Sequence, residues 1–235
     1  MSNSGSERPV AIVVDSAASL PDRVTNSREI HVVPMNVTLG DKSYVDGCEL
    51  PSNTFYRMMK ASSVMPYTSA PSPDEFLKVF RCASDQAQSI LCLTVGSKFS
   101  STFNSANVAA KIIKESQKQL DIVIVDTKSA AGGEGLIALE ALRAAKQNKG
   151  LKEVESAVKK VMEQVKIIAF VDTLYYLWRG GRVSYLSHVG TSILKIKPVF
   201  ELSQGQMQSL ARPRTQNNAM SCLFNFVRER VGQSR

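Results

Sequence analysis

The chain has 235 residues, of which 43% are hydrophobic, and 29 basic against 21 acidic side chains give it a formal net charge of +8. This length and composition predict a globular protein with one large or two modest cores. The first apolar run, residues 10–14, stops at Asp15 and is far shorter than the roughly 18 residues of a membrane span. We therefore expect no membrane span, no secretory signal and a cytoplasmic location.

Strands and helices alternate through the first two thirds of the chain. The predicted strands cover residues 10–14, 30–39 with Pro34 at a bulge or edge, 90–93 and 122–125. The predicted helices cover residues 52–61, 72–87, 135–149 and 151–165, with a further helix after residue 101. Residues 66–73 are predicted as an ordered loop, because their prolines exclude a helix. This alternation indicates right-handed crossovers and a parallel sheet, so the predicted fold class is α/β.

A hydroxyl-rich turn at residues 96–101, called the serine turn below, follows the strand at residues 90–93 and leads into the next helix. The unpaired backbone N–H groups and partial positive charge of a helix N-terminus suit a carboxylate or phosphate. The serines of this turn are also ordinary helix-capping residues, so this stretch alone leaves both interpretations open.

Three predicted strands end in small polar residues, at Asp15, in the serine turn and at Asp126. In an open parallel sheet, ligands bind beyond the carboxyl ends of the strands, so we expect the site at this edge. The two aspartates themselves are interpreted as helix caps and turn-stabilising groups. The glycines at residues 132–135 lack the dinucleotide-binding order and are interpreted as close helix–strand packing.

Four scattered cysteines and two histidines show no metal-ligand spacing, so we expect no structural metal and no cofactor. The basic excess is greatest in residues 179–235 and indicates an anionic partner. No zinc-finger, RNP or helix-turn-helix pattern accompanies it, so a nucleic-acid partner is supported by charge alone.

A second lobe begins after residue 163, so the predicted domains are residues 8–163 and 164–235. Its predicted elements are a strand at 166–172, a short helix at 174–178, a strand at 195–202, a hairpin turn, a partner strand at 207–212 and a helix at 217–230. Two glycines flanked by Arg179 and Arg182 end the short helix, and these arginines suit either an anion or a solvated helix end.

Five motifs together resemble the successive signatures of the DegV family. They are V-D-S-A-A-S-L-P at 14–21, T-S-A-P-S at 68–72, S-K-F-S-S-T-F-x-S-A at 97–106, V-D-T-x-S at 125–129 and W-R-G-G-R-V-S at 178–184. The resemblance extends from residue 10 to about residue 219. It implies two α/β lobes and a non-enzymatic carrier that binds a long-chain fatty acid between them and presents it to a separate fatty acid kinase.

The resemblance also implies roles for single residues. Hydroxyls of Thr68, Ser69, Ser97 and Ser100 would bind the fatty acid carboxylate, with Thr68 and Ser100 as first choices. Head-group or partner contacts would come from Arg182, Arg212 and Arg214. Candidates for the apolar lining around the acyl chain are Phe99, Phe103, Leu136, Leu194 and Ile196.

Two departures from the family pattern stand in this sequence. Ser101 occupies the position of a usual glycine, where a positive φ would be unfavourable for serine. Family members usually continue past residue 235, so the resemblance implies a shortened, truncated C-terminal lobe.

Two other function classes remain open on the residues alone. A serine-dependent hydrolase would use Ser100, but no G-x-S-x-G motif is present and His188 has no evident acidic partner. A basic nucleic-acid-binding protein would bind duplex DNA with a steep dependence on salt.

Overall fold

The computed structural model describes residues 8–182 and 196–232. The chain divides into two compact units, Met1–Val165 (the N-terminal unit) and Lys166–Arg235 (the C-terminal unit). The strands of the N-terminal unit are β1 (Val10–Asp15), β2 (His31–Val33), β3 (Asn36–Leu39), β4 (Lys42–Val45), β5 (Tyr67–Ser69), β6 (Ser89–Thr94) and β7 (Asp121–Asp126). Its helices are α1 (Asp22–Thr25), α2 (Ser52–Ala61), α3 (Pro73–Ser84), α4 (Thr102–Ser116), α5 (Ala131–Lys146) and α6 (Leu151–Gln164), with a 3-10 turn at Ser16–Ala18.

The predicted parallel sheet is confirmed, with the strand order β2-β1-β6-β7 and every pair parallel. Its two faces are covered by different helices. Ile12 and Leu91 pack on one side with α5 and α6, whereas Val13 and Cys92 pack on the other with α3 and α4. Burial of both faces explains why these strands are continuous apolar runs instead of alternating patterns.

The prediction of one strand over residues 30–39 is wrong. The chain breaks after Val33, so that β2 joins the parallel sheet and β3 joins a separate antiparallel sheet of order β4-β3-β5. Pro34 causes the break because it has no N–H to continue a strand ladder. The next N–H, of Met35, donates instead to the Ser16 hydroxyl at 3.0 Å.

The predicted loop at residues 66–73 also contains a strand that the sequence did not indicate. β5 pairs with β3 in antiparallel register, Thr68 opposite Val37 and Ser69 opposite Asn36. All three β5 residues are exposed, so β5 lacks the apolar alternation by which half-buried strands are recognised. The prolines do exclude a helix here, as expected.

The C-terminal unit contains β8 (Ile167–Phe170), α7 (Tyr175–Arg179), β9 (Val199–Ser203), β10 (Gln206–Ala211) and α8 (Gln216–Gly232). The predicted β9–β10 hairpin is confirmed, and β8 completes an antiparallel sheet of order β10-β9-β8. Leu174 and Phe200 form its small core, and Arg230 of α8 pairs with Glu201 at 3.0 Å.

In residues 8–182 and 196–232, no helix is long and apolar enough to cross a membrane.

Candidate functional site

The carboxyl ends of β1, β6 and β7 meet at one edge of the parallel sheet, as the sequence predicts. Buried Asp15 accepts hydrogen bonds from the Val95 N–H at 2.8 Å and from the Ala17 N–H at 2.9 Å. Burial raises the pKa of Asp15 to about 6, although its two N–H donors lower it. Asp15 therefore links the end of β1 to the start of the serine turn, which confirms its interpretation as a cap and turn-stabilising group.

Two backbone hydrogen bonds at Gly96 stabilise the serine turn. The Gly96 N–H donates to the Ser129 carbonyl at 2.8 Å, and the Phe99 N–H donates back to the Gly96 carbonyl at 2.8 Å. A Cβ on Gly96 would lie 3.0 Å from the Phe99 ring, so a larger residue there would displace the ring or the turn. The conformation of the turn is thus specified by backbone contacts with the β7–α5 loop.

Ser97 donates two hydrogen bonds to Asp126. Its hydroxyl donates to one Asp126 carboxylate oxygen at 2.5 Å, and its N–H donates to the other at 3.1 Å. The same aspartate accepts from the Lys128 N–H at 2.9 Å, which confirms its turn-stabilising role. Because a serine hydroxyl has a single proton, Ser97 has none left to donate to a ligand in this arrangement.

Ser100 differs from Ser97 in this respect. Its Oγ lies 2.8 Å from the Thr102 Oγ1 and accepts from the Thr102 N–H at 3.4 Å. Either hydroxyl can be the donor in this 2.8 Å contact; when the fully buried Thr102 donates, its own hydroxyl is satisfied and the Ser100 proton is directed elsewhere. Ser101 has a φ of −80°, so the usual glycine position needs no left-handed conformation here.

Thr68 and Ser69 lie on β5 and are exposed. In the described part of the chain, neither hydroxyl has a hydrogen-bond partner within the protein. The strand is fixed to its surroundings: Asn36, opposite Ser69, donates to Glu75 of α3 at 3.3 Å. Glu75 also forms a capping box with Ser72 at the start of α3.

The topology places these two hydroxyl segments at the same edge of the parallel sheet. β5 leads into α3 and the serine turn leads into α4, and α3 and α4 pack side by side on one face of that sheet. Both helices connect to the starts of parallel strands, so both run opposite to the strands and begin at the carboxyl edge. No hydrogen bond joins the two segments directly among the described residues.

Partly exposed apolar side chains accompany the hydroxyls at this edge. Phe99 and Phe103, before and within the first turn of α4, are half-buried, and Leu136 near the start of α5 is 60% exposed. Ile196 is half-buried in the C-terminal unit. Leu194, like His188, lies outside the described residues.

The predicted arginines belong to the C-terminal unit. Arg182 is half-buried and donates to the Gly180 carbonyl, where it closes the end of α7. Arg212 and Arg214 are exposed and follow β10. Their contacts with a ligand or partner stay predictions.

A cavity of about 630 Å³ lies nearby, against the ends of β1 and β2. Among the described residues, its lining includes Asp15, Asp22 and Asp46 but no basic side chain and no residue of the serine turn. A carboxylate would meet three acidic groups there, so this cavity is a poor site for an anion.

The sequence patterns missed Glu134, in the first turn of α5. Its side chain is fully buried, and neither carboxylate oxygen has a hydrogen-bond partner in the described part of the chain. Burial raises the pKa of Glu134 well above its ordinary value, and the nearby Asp15 and Asp126 raise it further. Close packing is confirmed at Gly135, where a Cβ would lie 2.7 Å from the Ala18 carbonyl, but not at Gly132, where a Cβ would meet nothing.

In the comparison with protein families, a model of the DegV family, described as uncharacterised proteins, matches residues 9–235. A DegV domain-containing protein of Streptomyces coelicolor is 31% identical over 226 residues, which cover 96% of this chain and 78% of that protein.

Two solved structures are similar to the chain. A stearic acid-binding protein from Eubacterium ventriosum has a TM-score of 0.89 at 24% identity and shows the shared fold, over 96% of this chain and 78% of that one. A DegV family protein from Thermus thermophilus, described for its fatty acid binding, has a TM-score of 0.81 at 27% identity, over 94% and 78%. With its family model matched over nearly the whole length, the chain belongs to the DegV family.

Proposed function

We propose that the protein binds a long-chain fatty acid, with its carboxylate at the serine turn. The observation that carries this proposal is the position of the Ser100 hydroxyl at the N-terminus of the 15-residue helix α4, where its proton is available to a ligand when the Thr102 hydroxyl donates to Ser100. The partial positive charge of that helix end favours an anion. The hydroxyls of Thr68 and Ser69, which have no partner among residues 8–182 and 196–232 and lie at the same edge of the sheet, supply further donors.

The donor set implies a division of roles among the four predicted hydroxyls. Ser100, Thr68 and Ser69 donate to the carboxylate directly. Ser97 positions the turn through Asp126, because its own proton is already used in that contact. The half-buried rings of Phe99 and Phe103 lie beside Ser100 in the chain and suit the first methylenes of the acyl chain.

Magnitudes indicate what each part of the ligand contributes. A charge-assisted hydrogen bond stabilises the complex by roughly 1.5 to 3 kcal/mol. About fourteen buried methylenes at about 0.8 kcal/mol each contribute on the order of 11 kcal/mol before ordering costs. The acyl chain therefore supplies most of the affinity, and the hydroxyls supply orientation.

Related proteins support this ligand class. The similar protein from Thermus thermophilus is described as binding fatty acid, and the one from Eubacterium ventriosum as binding stearic acid. We further propose that this protein is a non-enzymatic cytoplasmic carrier that presents the fatty acid to a kinase. The predicted head-group or partner contacts of Arg182, Arg212 and Arg214 are part of that extension.

A hydrolase is less well supported by the described residues. The recorded contacts of the Ser100 hydroxyl are with Thr102, and no imidazole is among them. A serine nucleophile requires a base within hydrogen-bond reach.

The test is oleate binding by isothermal titration calorimetry with the full chain and its Ser100→Ala variant. Loss of one charge-assisted hydrogen bond is expected to raise the Kd about tenfold to about a hundredfold. Ser116→Ala, at the opposite end of α4, is the matched control and should bind as the unmodified protein does. Equal affinity of the Ser100→Ala variant and this control would show that the carboxylate does not lie at the serine turn.

A further inference from the structure

Glu134 is a buried acid that the proposed carboxylate site does not use. It is 0% exposed, and both of its oxygens lack hydrogen-bond partners in the described part of the chain. A buried ionised carboxylate without partners is far more costly than a neutral carboxyl group. Glu134 is therefore protonated in this arrangement, and burial raises its pKa accordingly.

The charged groups around Glu134 are acidic. Asp15 at the end of β1 and Asp126 at the end of β7 act on it electrostatically, and Cys92 of β6 is a buried thiol near Asp15 and Glu134. Helix α6, which also packs against α5, presents apolar side chains such as Val154 to this core. The cation of the preceding loop, Lys128, is exposed.

The two acids next to Glu134 are the ones that stabilise the serine turn. Asp15 accepts from the N–H of Val95, directly before the turn, and Asp126 accepts from both the N–H and the hydroxyl of Ser97. A negative charge on Glu134 would repel both aspartates. The ionisation of Glu134 is thus linked electrostatically to the two aspartates, which contact the turn by hydrogen bonds.

We propose that Glu134 is a positioning residue that makes anion binding at the serine turn proton-linked, so that the ligand is bound while Glu134 is protonated and released when Glu134 ionises. This inference rests on the proposed fatty acid site. A carboxylate bound at the serine turn adds a negative charge to the turn that Asp15 and Asp126 stabilise, so it favours the protonated form of the buried acid. By thermodynamic reciprocity, protonation then favours the bound ligand.

The experiment measures oleate affinity of the full chain between about pH 5.5 and about pH 8.5, where a free carboxylate is ionised. We expect the affinity to fall as the pH rises, by at most about tenfold per pH unit for one linked proton. Glu134→Gln, which is neutral at every pH and close in size, should show a clearly weaker dependence. The control is Glu140→Gln, which changes an ion-paired residue on the same helix and should leave the pH dependence of oleate affinity unchanged.

Titrations in two buffers of different ionisation enthalpy count the protons directly in the unmodified protein, so the test does not depend on the folding of a variant. Proton uptake on oleate binding at about pH 8, where Asp15, with a pKa of about 6, is already ionised, supports the inference. Binding without proton uptake, or with the same pH dependence in Glu134→Gln, overturns it while leaving the fatty acid site intact. Failure to bind oleate at every pH overturns both proposals.

Discussion

The close contact at Gly135 gives a stability prediction that can be worked out from the structure. A Cβ at this position would lie 2.7 Å from the carbonyl oxygen of Ala18 and 3.5 Å from Leu20. The first distance is shorter than real Cβ contacts, and its partner is backbone in the 3-10 turn that follows Asp15. The variant Gly135→Ala must therefore move either α5 or that turn.

The expected cost is a balance of two effects. Overpacking of a tight contact typically costs 1 to 3 kcal/mol, whereas alanine is better than glycine in a helix by up to about 1 kcal/mol. We expect Gly135→Ala to lower the free energy of unfolding by roughly 1 to 2 kcal/mol. Gly132→Ala, on the same helix with nothing near its Cβ, should leave stability unchanged or raise it by up to about 1 kcal/mol.

Urea unfolding followed by circular dichroism at the helix band measures both variants. The predicted difference between them is about 1 to 3 kcal/mol, which urea unfolding with linear extrapolation measures. If Gly135→Ala were as stable as Gly132→Ala, the packing of α5 against the 3-10 turn would be looser than described.

Three further predictions concern the groups around the site. Ser72→Ala removes the capping box with Glu75 and should lower the free energy of unfolding by about 1 kcal/mol, measured by urea denaturation; an unchanged value would show that the cap contributes nothing. Asp15 has a pKa of about 6 in the folded state against 3.8 when unperturbed. Its protonation therefore stabilises the folded state fully below about pH 4, and this part of the free energy of unfolding, on the order of 3 kcal/mol, is lost as the pH rises through 6. Asp15→Asn should remove this slope from the pH dependence of unfolding, and a variant that keeps the slope would refute the assignment. Ser97→Ala removes one hydrogen bond to Asp126 and should cost about 1 kcal/mol of stability, with a smaller effect on oleate affinity than Ser100→Ala; an equal effect in calorimetry would make Ser97 a direct donor.

The parallel sheet was predicted well from the sequence because each of its strands is a continuous apolar run. Ile12 and Val13 face opposite cores, and so do Leu91 and Cys92, so each strand had to be apolar on both faces. The helices were found with errors at their ends. Helix α5 begins four residues earlier than predicted, at Ala131, because the glycines before Gly135 are accommodated inside the helix.

What the sequence did not show depends on contacts between distant residues. β5 is a strand only through its pairing with β3, about thirty residues away. Its side chains are all exposed, so they show no alternation of buried and exposed positions. Pro34 was predicted at a bulge or an edge position, since the sequence could not indicate that the two halves join different sheets.

At the site, too, contacts between distant residues could not be predicted from the sequence. The patterns identified the serine turn and Thr68, and the family resemblance gave them a ligand. The hydrogen bond from the Ser97 hydroxyl to Asp126, 29 positions later, is seen only in the folded chain. Glu134 has the sequence context of an ordinary acidic residue in a first helical turn, and no periodicity reveals that it is fully buried beside the close approach at Gly135.

Native mass spectrometry of the full chain purified from a bacterial host tests most directly whether the protein carries a fatty acid. We expect a bound species whose added mass corresponds to a long-chain fatty acid. A protein that is consistently empty, and that also fails to bind added oleate, would contradict the proposal.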